Sequence, residues 1–132
     1  MNIQFLILGL VGFVFVLMAF RAVRSRSIVQ YGPVEVSEQM RRRGGILLLD
    51  VRTRREREAR HIPGSLHIPL HELKKRVEEL RAHQPREIVC YCQSGHRSQS
   101  AAYLLKKRGF SAASMRGGIL DWDVAANHDA KG

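Results

Sequence analysis

The segment "EIVCYCQSGHRSQSAAYLLKKRG", Glu87 to Gly109, decides the fold. It opens on a continuous apolar run, as expected of a strand covered on both faces of a parallel sheet. It turns through Cys92–Arg97 and continues as a helix to Lys107, with Gly109 as its stop. A strand feeding a helix through a short loop is the unit from which α/β domains are built. Ligands of such sheets bind beyond the carboxyl ends of the strands, and Cys92 stands at one.

The loop reads as a cradle for negative charge. Gln93, Ser94, Gly95, His96 and Arg97 curve into a helix N-terminus, where unpaired amides and the helix dipole favour an anion. A thiol placed there is acidified, and the thiolate is the nucleophilic form. Ser94 and Gly95 allow a tight turn that aims amides at the sulfur. Arg97 adds a fixed positive charge. The competing reading is a buried cysteine at a strand end with Arg97 merely solvated. Cys90 lies inside the apolar run, where a free cysteine is a small core hydrophobe.

Outward from this segment, residues 24–33 read as a linker ending in Gly-Pro, followed by a short strand over "VEV", Val34 to Val36. Ser37 is a candidate cap for a helix over Glu38–Arg42, which Gly44 and Gly45 stop. "ILLL", Ile46 to Leu49, is a second buried strand. A Pro/Gly-punctuated loop with a short strand at Leu66–Ile68 follows, and then Leu70, Leu73, Val77 and Leu80 recur at the spacing of an amphipathic helix. "AASM", Ala112 to Met115, is a last strand, and Gly117-Gly118 opens a short helix carrying Trp122, which reads as core. Alternating strands and helices predict an α/β domain over residues 34–126, with a mostly parallel central sheet flanked by helices, and a tail over 127–132.

Ile3 to Phe20 carries no charge, and Gln4 is its only strongly polar side chain. As a helix, this run of 18 residues spans about 27 Å at ~1.5 Å per residue. Ala22 and Val23 lengthen it toward the ~30 Å of a bilayer core while Arg21 snorkels to the interface. A signal peptide would carry positive charge before its apolar run, whereas here Arg21, Arg24 and Arg26 follow it and no Lys or Arg precedes it. The expectation is one uncleaved transmembrane helix over residues 1–23, single-pass in the inner (plasma) membrane. The same arginines hold the domain on the cytoplasmic side, where thiols stay reduced.

The formal net charge is +10, with basic clusters at Arg41–Arg43, Lys74–Arg76 and Lys106–Arg108. Solvated helix faces account for such clusters, and attraction to small anions or anionic lipid is the sharper reading. No aromatic residues are interleaved with them, which argues against nucleic acid. Two cysteines two positions apart make no disulfide framework, and no Cys/His set at metal spacing or Gly-rich phosphate loop is present.

With these motifs in view, the chain resembles the rhodanese family of single-domain sulfurtransferases from about Val34 to Trp122. "LLLDVRTRRERE" is similar to that family's Asp-Val-Arg segment with a downstream glutamate, here Glu56. "HIPGSLHIPL" resembles its His-Ile-Pro-Gly loop, and "CQSGHRS" its active-site loop. "LLKKRGF" and "RGGILDW" resemble the segments that follow. The chain departs from the pattern at Arg57, where an aromatic is common, at Ser65, where Ala is usual, and at Arg60, where Gly is usual. A glycine with positive φ at 60 would make the loop near His61 differ here.

The resemblance implies that Cys92 takes a sulfane sulfur from a small anionic donor such as thiosulfate, or from a persulfide. Cys92 would then pass it to a nucleophile, such as a thioredoxin-like protein or another thiol. It implies that Gln93–Arg97 bind the donor, that Ser98 supports the loop together with Asp50 and Arg52 at the end of the neighbouring strand, a purely structural Asp50–Arg52 ion pair being the alternative, and that no metal or organic cofactor takes part. A related phosphatase loop has one residue more between cysteine and arginine than the four here, Gln93 to His96. A membrane-tethered docking domain without activity is the remaining alternative, although such domains typically lose the cysteine.

Overall fold

A computed structural model describes residues 2–131, and the side chains of 2–23 and 27–127 among them. The chain begins with helix α1, Ile3–Arg26. Every side chain from Ile3 to Val23 is exposed, so the rest of the protein does not cover this helix. It is long and apolar enough to span a membrane.

The remainder is an α/β domain. In chain order it comprises β1 (Gln30–Tyr31), α2 (Pro33–Arg41), β2 (Leu47–Asp50), α3 (Arg54–Ala59), β3 (Leu66–His67), α4 (Leu70–Arg76), a 3₁₀ segment (Val77–His83), β4 (Ile88–Tyr91), α5 (His96–Lys107), β5 (Ala112–Met115) and α6 (Gly118–Lys131). The strands form one sheet in the order β1-β5-β4-β2-β3. Each neighbouring pair is parallel, as Leu47 opposite Ile88 and Ile88 opposite Ala112 illustrate.

Strand alternation divides the core into two layers. Leu47, Leu49, Ile88 and Cys90 face Leu73, Val77, Leu80 and Leu105 of α4, the 3₁₀ segment and α5. Leu48, Val89, Tyr91, Ala113 and Met115 face Val36 of α2 and Ile119 of α6, with Trp122 partly buried against them. Burying a leucine or isoleucine in such a layer contributes about 1.5–3 kcal/mol.

Several local expectations change. Val34–Val36 is not a strand: Pro33 takes the first turn of α2, a position where its missing N–H costs nothing, and Val36 is turned fully inward. Ser37 therefore lies within α2 and does not cap it. Residues 24–33 are not a free linker either. α1 continues to Arg26, the Val29 carbonyl accepts from Ser114 N–H at 2.9 Å, and Gln30–Tyr31 is a strand. The Leu70–Leu80 helix is split into α4 and a 3₁₀ segment that together keep one buried stripe. α6 runs on through residues 127–131 of the expected tail. Gly132 of that tail and Met1 of the expected anchor lie outside the described residues.

Candidate active site

The loop after β4 cups the Cys92 sulfur. Gly95 precedes α5 with φ of 108°, a left-handed conformation that side chains rarely adopt. This turn aims the Gly95 N–H at Cys92 Sγ at 3.1 Å, and the Ser98 N–H follows at 3.4 Å. The thiol itself lies 3.6 Å from Ser98 Oγ. That hydroxyl is held by the Gly95 carbonyl at 3.0 Å and by Ser114 Oγ of β5 at 2.7 Å. Ser98 and Ser114 are both fully buried.

Burial of Cys92 disfavours its charged form. The Ser98 hydroxyl and the N–H groups of Ser98, Gly95 and Ser94 outweigh that penalty and bring the thiol below its ordinary value. Cys90 behaves oppositely: buried in the apolar layer, its thiol is pushed far up. Two cysteines two residues apart thus have different chemistry.

The N-terminus of α6 holds the loop from the other side. Ile119 N–H donates to the Cys92 carbonyl at 2.9 Å and Leu120 N–H to that of Gln93 at 3.4 Å. This approach requires glycine at 118, where φ is 60° and a Cβ would collide with the Cys92 and Gln93 carbonyl oxygens.

Arg97 is turned toward α3, where its guanidinium grips Glu56 through two bonds of 2.8 and 2.7 Å. Glu56 also closes a capping box with Thr53 at the start of α3. Hydrogen bonding to Arg97 is the chief cause that lowers the Glu56 carboxyl to about 2. Arg97 therefore locks α3 against the loop, and its charge acts on the sulfur from a fixed position. Ser94 and His96 are exposed at the loop rim, and Gln93 is half-buried.

Behind the loop, Asp50 and Arg52 form an ion pair at 2.9 Å, both almost fully buried. Tyr91 hydroxyl donates to Asp50 at 2.9 Å, and Arg52 reaches the Arg60 carbonyl at 2.6 Å. Arg57 enters the same network through the Ser65 carbonyl at 2.8 Å and Ser65 Oγ at 3.0 Å. Asp50 and Arg52 thus tie the ends of β2 and β4 together and do not touch the thiol. Arg60 has φ of −169° and ψ of 144°, extended backbone that any residue adopts, so its side chain imposes no strain on the loop. The side chain pairs with Asp123 of α6.

Sequence reasoning placed Cys92, Gly95 and Ser98 together, and the structure does so. It did not place Glu56, Ser114, Tyr91 or Gly118 in the site. A Thr-x-x-Glu pattern at Thr53–Glu56 is the local signal that could have found the start of α3, but nothing local announces Arg97 as the partner of Glu56.

These features define an α/β protein with an acidified cysteine in a strand-to-helix turn. The family model of the rhodanese-like domain matches residues 33–125, and the chain belongs to that family. It is 37% identical over 91 residues to the thiosulfate sulfurtransferase GlpE of Pseudomonas syringae, covering 68% of this chain and 83% of that one. It is 38% identical over 78 residues to a sulfurtransferase of Allochromatium vinosum, covering 58% of this chain and 71% of that one. The match to YrkF of Bacillus subtilis, 46% over 76 residues, covers 57% of this chain and only 40% of that longer protein. Among solved structures, the human single-domain sulfurtransferase TSTD1 superposes with a TM-score of 0.62 at 26% identity, covering 73% of this chain and 96% of that one.

Proposed function

We propose that the protein is a membrane-anchored sulfurtransferase that carries sulfane sulfur on Cys92. One observation carries this reading: the Cys92 sulfur receives the Gly95 and Ser98 N–H groups at 3.1 and 3.4 Å. Amides so placed stabilise a thiolate before reaction and a persulfide anion after it. The Cys92 thiolate attacks the outer sulfur of thiosulfate. An S–S bond to Cys92 forms, the donor S–S bond breaks, and sulfite leaves with the electron pair. An acceptor thiolate then attacks the outer sulfur of the persulfide and takes it away, returning the Cys92 thiolate. Each step is a two-electron displacement and consumes no external oxidant or reductant. Four residues between Cys92 and Arg97 close a ring suited to one sulfur and too tight for a phosphoryl group and its oxygens.

α1 supplies the anchor in this reading. Arg21, Arg24 and Arg26 follow its apolar span and hold the domain in the cytoplasm. The test is mass spectrometry of the full-length protein after thiosulfate treatment. Gain of one sulfur atom on Cys92, lost on adding a thiol and absent in Cys92→Ser, is expected. An unmodified wild-type protein overturns the reading and leaves a docking domain without sulfur chemistry.

A further inference from the structure

The basic clusters are distant in sequence, but the topology gathers their helix ends on one side. All strands are parallel, so each helix that joins two of them runs back and ends at the amino-terminal edge of the sheet. α2 ends there in Arg41–Arg43 and α5 in Lys106–Arg108. Arg42 and Arg43 share a hollow with Arg86 and Glu87, which lead into β4. Lys74 of α4 joins Lys107 and Arg108 around a second hollow. Arg42, Arg43, Lys74, Lys106, Lys107 and Arg108 are all exposed, and the ion pairs among the described residues use none of them. Two carboxylates stand nearby: Glu78 pairs with Arg81 at 2.8 Å and also feels the charge of Arg108, and Glu87, which accepts from Ser111 at 3.3 Å and keeps its charge, is outnumbered by Arg42, Arg43 and Arg86 around the first hollow.

α1 joins the domain at this same edge. Gln30 stands opposite Ser114, the Val29 carbonyl accepts from Ser114 N–H at 2.9 Å, and Ser27 is itself extended, with φ and ψ of −74° and 110°. Carried back along that register, Ser27 is level with Ser111, just ahead of β5. Only Ser27 and Ile28 separate the end of α1 from the first sheet hydrogen bond at Val29. Two extended residues reach roughly 7 Å, within the ~8 Å over which charge acts at physiological salt. Cys92 lies at the opposite edge, four residues along from Ile88, roughly 13 Å at ~3.3 Å each.

We propose that this basic edge is a docking face for an anionic lipid surface, the bilayer that α1 enters, and that docking turns the Cys92 loop toward the water. The proposal rests on the reading of α1 as a membrane anchor. Charge complementarity and the short tether both select lipid headgroups over a diffusing partner. Contact there leaves the sulfur site open to soluble donors and acceptors.

The test uses full-length protein in nanodiscs of phosphatidylcholine alone or mixed with phosphatidylglycerol, read by amide hydrogen exchange. Exchange over Arg41–Gly45 and Lys106–Gly109 should slow roughly tenfold in the anionic discs and recover in high salt, while Gln93–His96 is unchanged. The variant Arg42→Glu/Arg43→Glu/Lys107→Glu, at exposed positions, should lose that protection and keep its thermal midpoint. Equal exchange in both disc types, protection centred on Gln93–His96, or full protection in the charge-reversed variant overturns the docking face. Equal protection in neutral discs on adding RNA assigns the edge to nucleic acid and overturns it too. Failure of the protein to enter discs removes the anchor itself and is seen separately, before any exchange is measured.

Discussion

The two terminal nitrogens of Arg97 meet the two carboxylate oxygens of Glu56 at 2.8 and 2.7 Å, joining α5 to α3 across 41 positions of sequence. Arg97, whose charge acts on Cys92, is thereby a strut as well as a charge. A bidentate pair fixes both the distance and the plane of the guanidinium. Glu56→Gln should free Arg97, loosen the loop and lower kcat/KM for thiosulfate by about tenfold or more. A variant with unchanged kinetics would show that the loop holds itself.

The same pair sets a pH dependence. Glu56 titrates in the folded protein at about 2, below its ordinary 4.5. A depressed carboxylate contributes stability that is complete above the unfolded value and is lost as pH falls from about 4.5 through about 2. Thermal midpoints measured across that window should fall less steeply for Glu56→Gln than for the wild type.

Cys92→Ser should abolish sulfur transfer, and Cys90→Ser should retain most of it. Cys90 lies in the apolar layer under α4 and α5, where burial holds its thiol neutral. Equal loss in both variants, with both still folded by circular dichroism, would indicate a two-cysteine mechanism.

Alkylation of Cys92 as a function of pH should give a midpoint below the ~8.5 of a free cysteine. Ser98→Ala should raise that midpoint, because it removes a hydroxyl that lies against the sulfur. The Ser98 N–H remains in that variant, so the rise should be partial. An unchanged midpoint would assign the acidification to the backbone amides alone.

Gly118→Ala should damage stability and activity together. Its Cβ would enter the space of the Cys92 and Gln93 carbonyls, at a φ that alanine rarely adopts. A loss of about 1–3 kcal/mol in urea unfolding is expected, with weaker persulfide formation. A variant that folds as well as the wild type would show that α6 can shift without disturbing the loop.

The sheet was largely legible because fully buried parallel strands leave continuous apolar runs, as at Leu47–Leu49 and Ile88–Tyr91. Val34–Val36 differs for a local reason: three residues with alternating valines fit a strand, but Pro33 ahead of them pre-sets the first turn of a helix. The cysteine loop was legible as a cradle since its turn, its amides and the helix lie within a dozen positions. Ser114, Gly118 and Glu56 were not, because they arrive from β5, α6 and α3 through packing that spacing does not encode. Arg57 and Ser65 looked like unrelated departures from the family pattern. They are one contact, in which a cation and a hydroxyl cross-link α3 to the entry of β3.

Cys92 is only 1% exposed. A bare sulfur at that depth is hidden from any reagent wider than the loop mouth, so a bulky oxidant or a folded partner meets backbone before it meets the thiol. In the proposed persulfide a second sulfur lengthens the side chain by about 2 Å. On the proposed function the free and loaded forms would differ in what they display, since only the loaded one would bring a sulfur toward a partner. Under the proposed function, selection between donor and acceptor would then be a matter of reach, with slender donors loading a site that broader acceptors only unload.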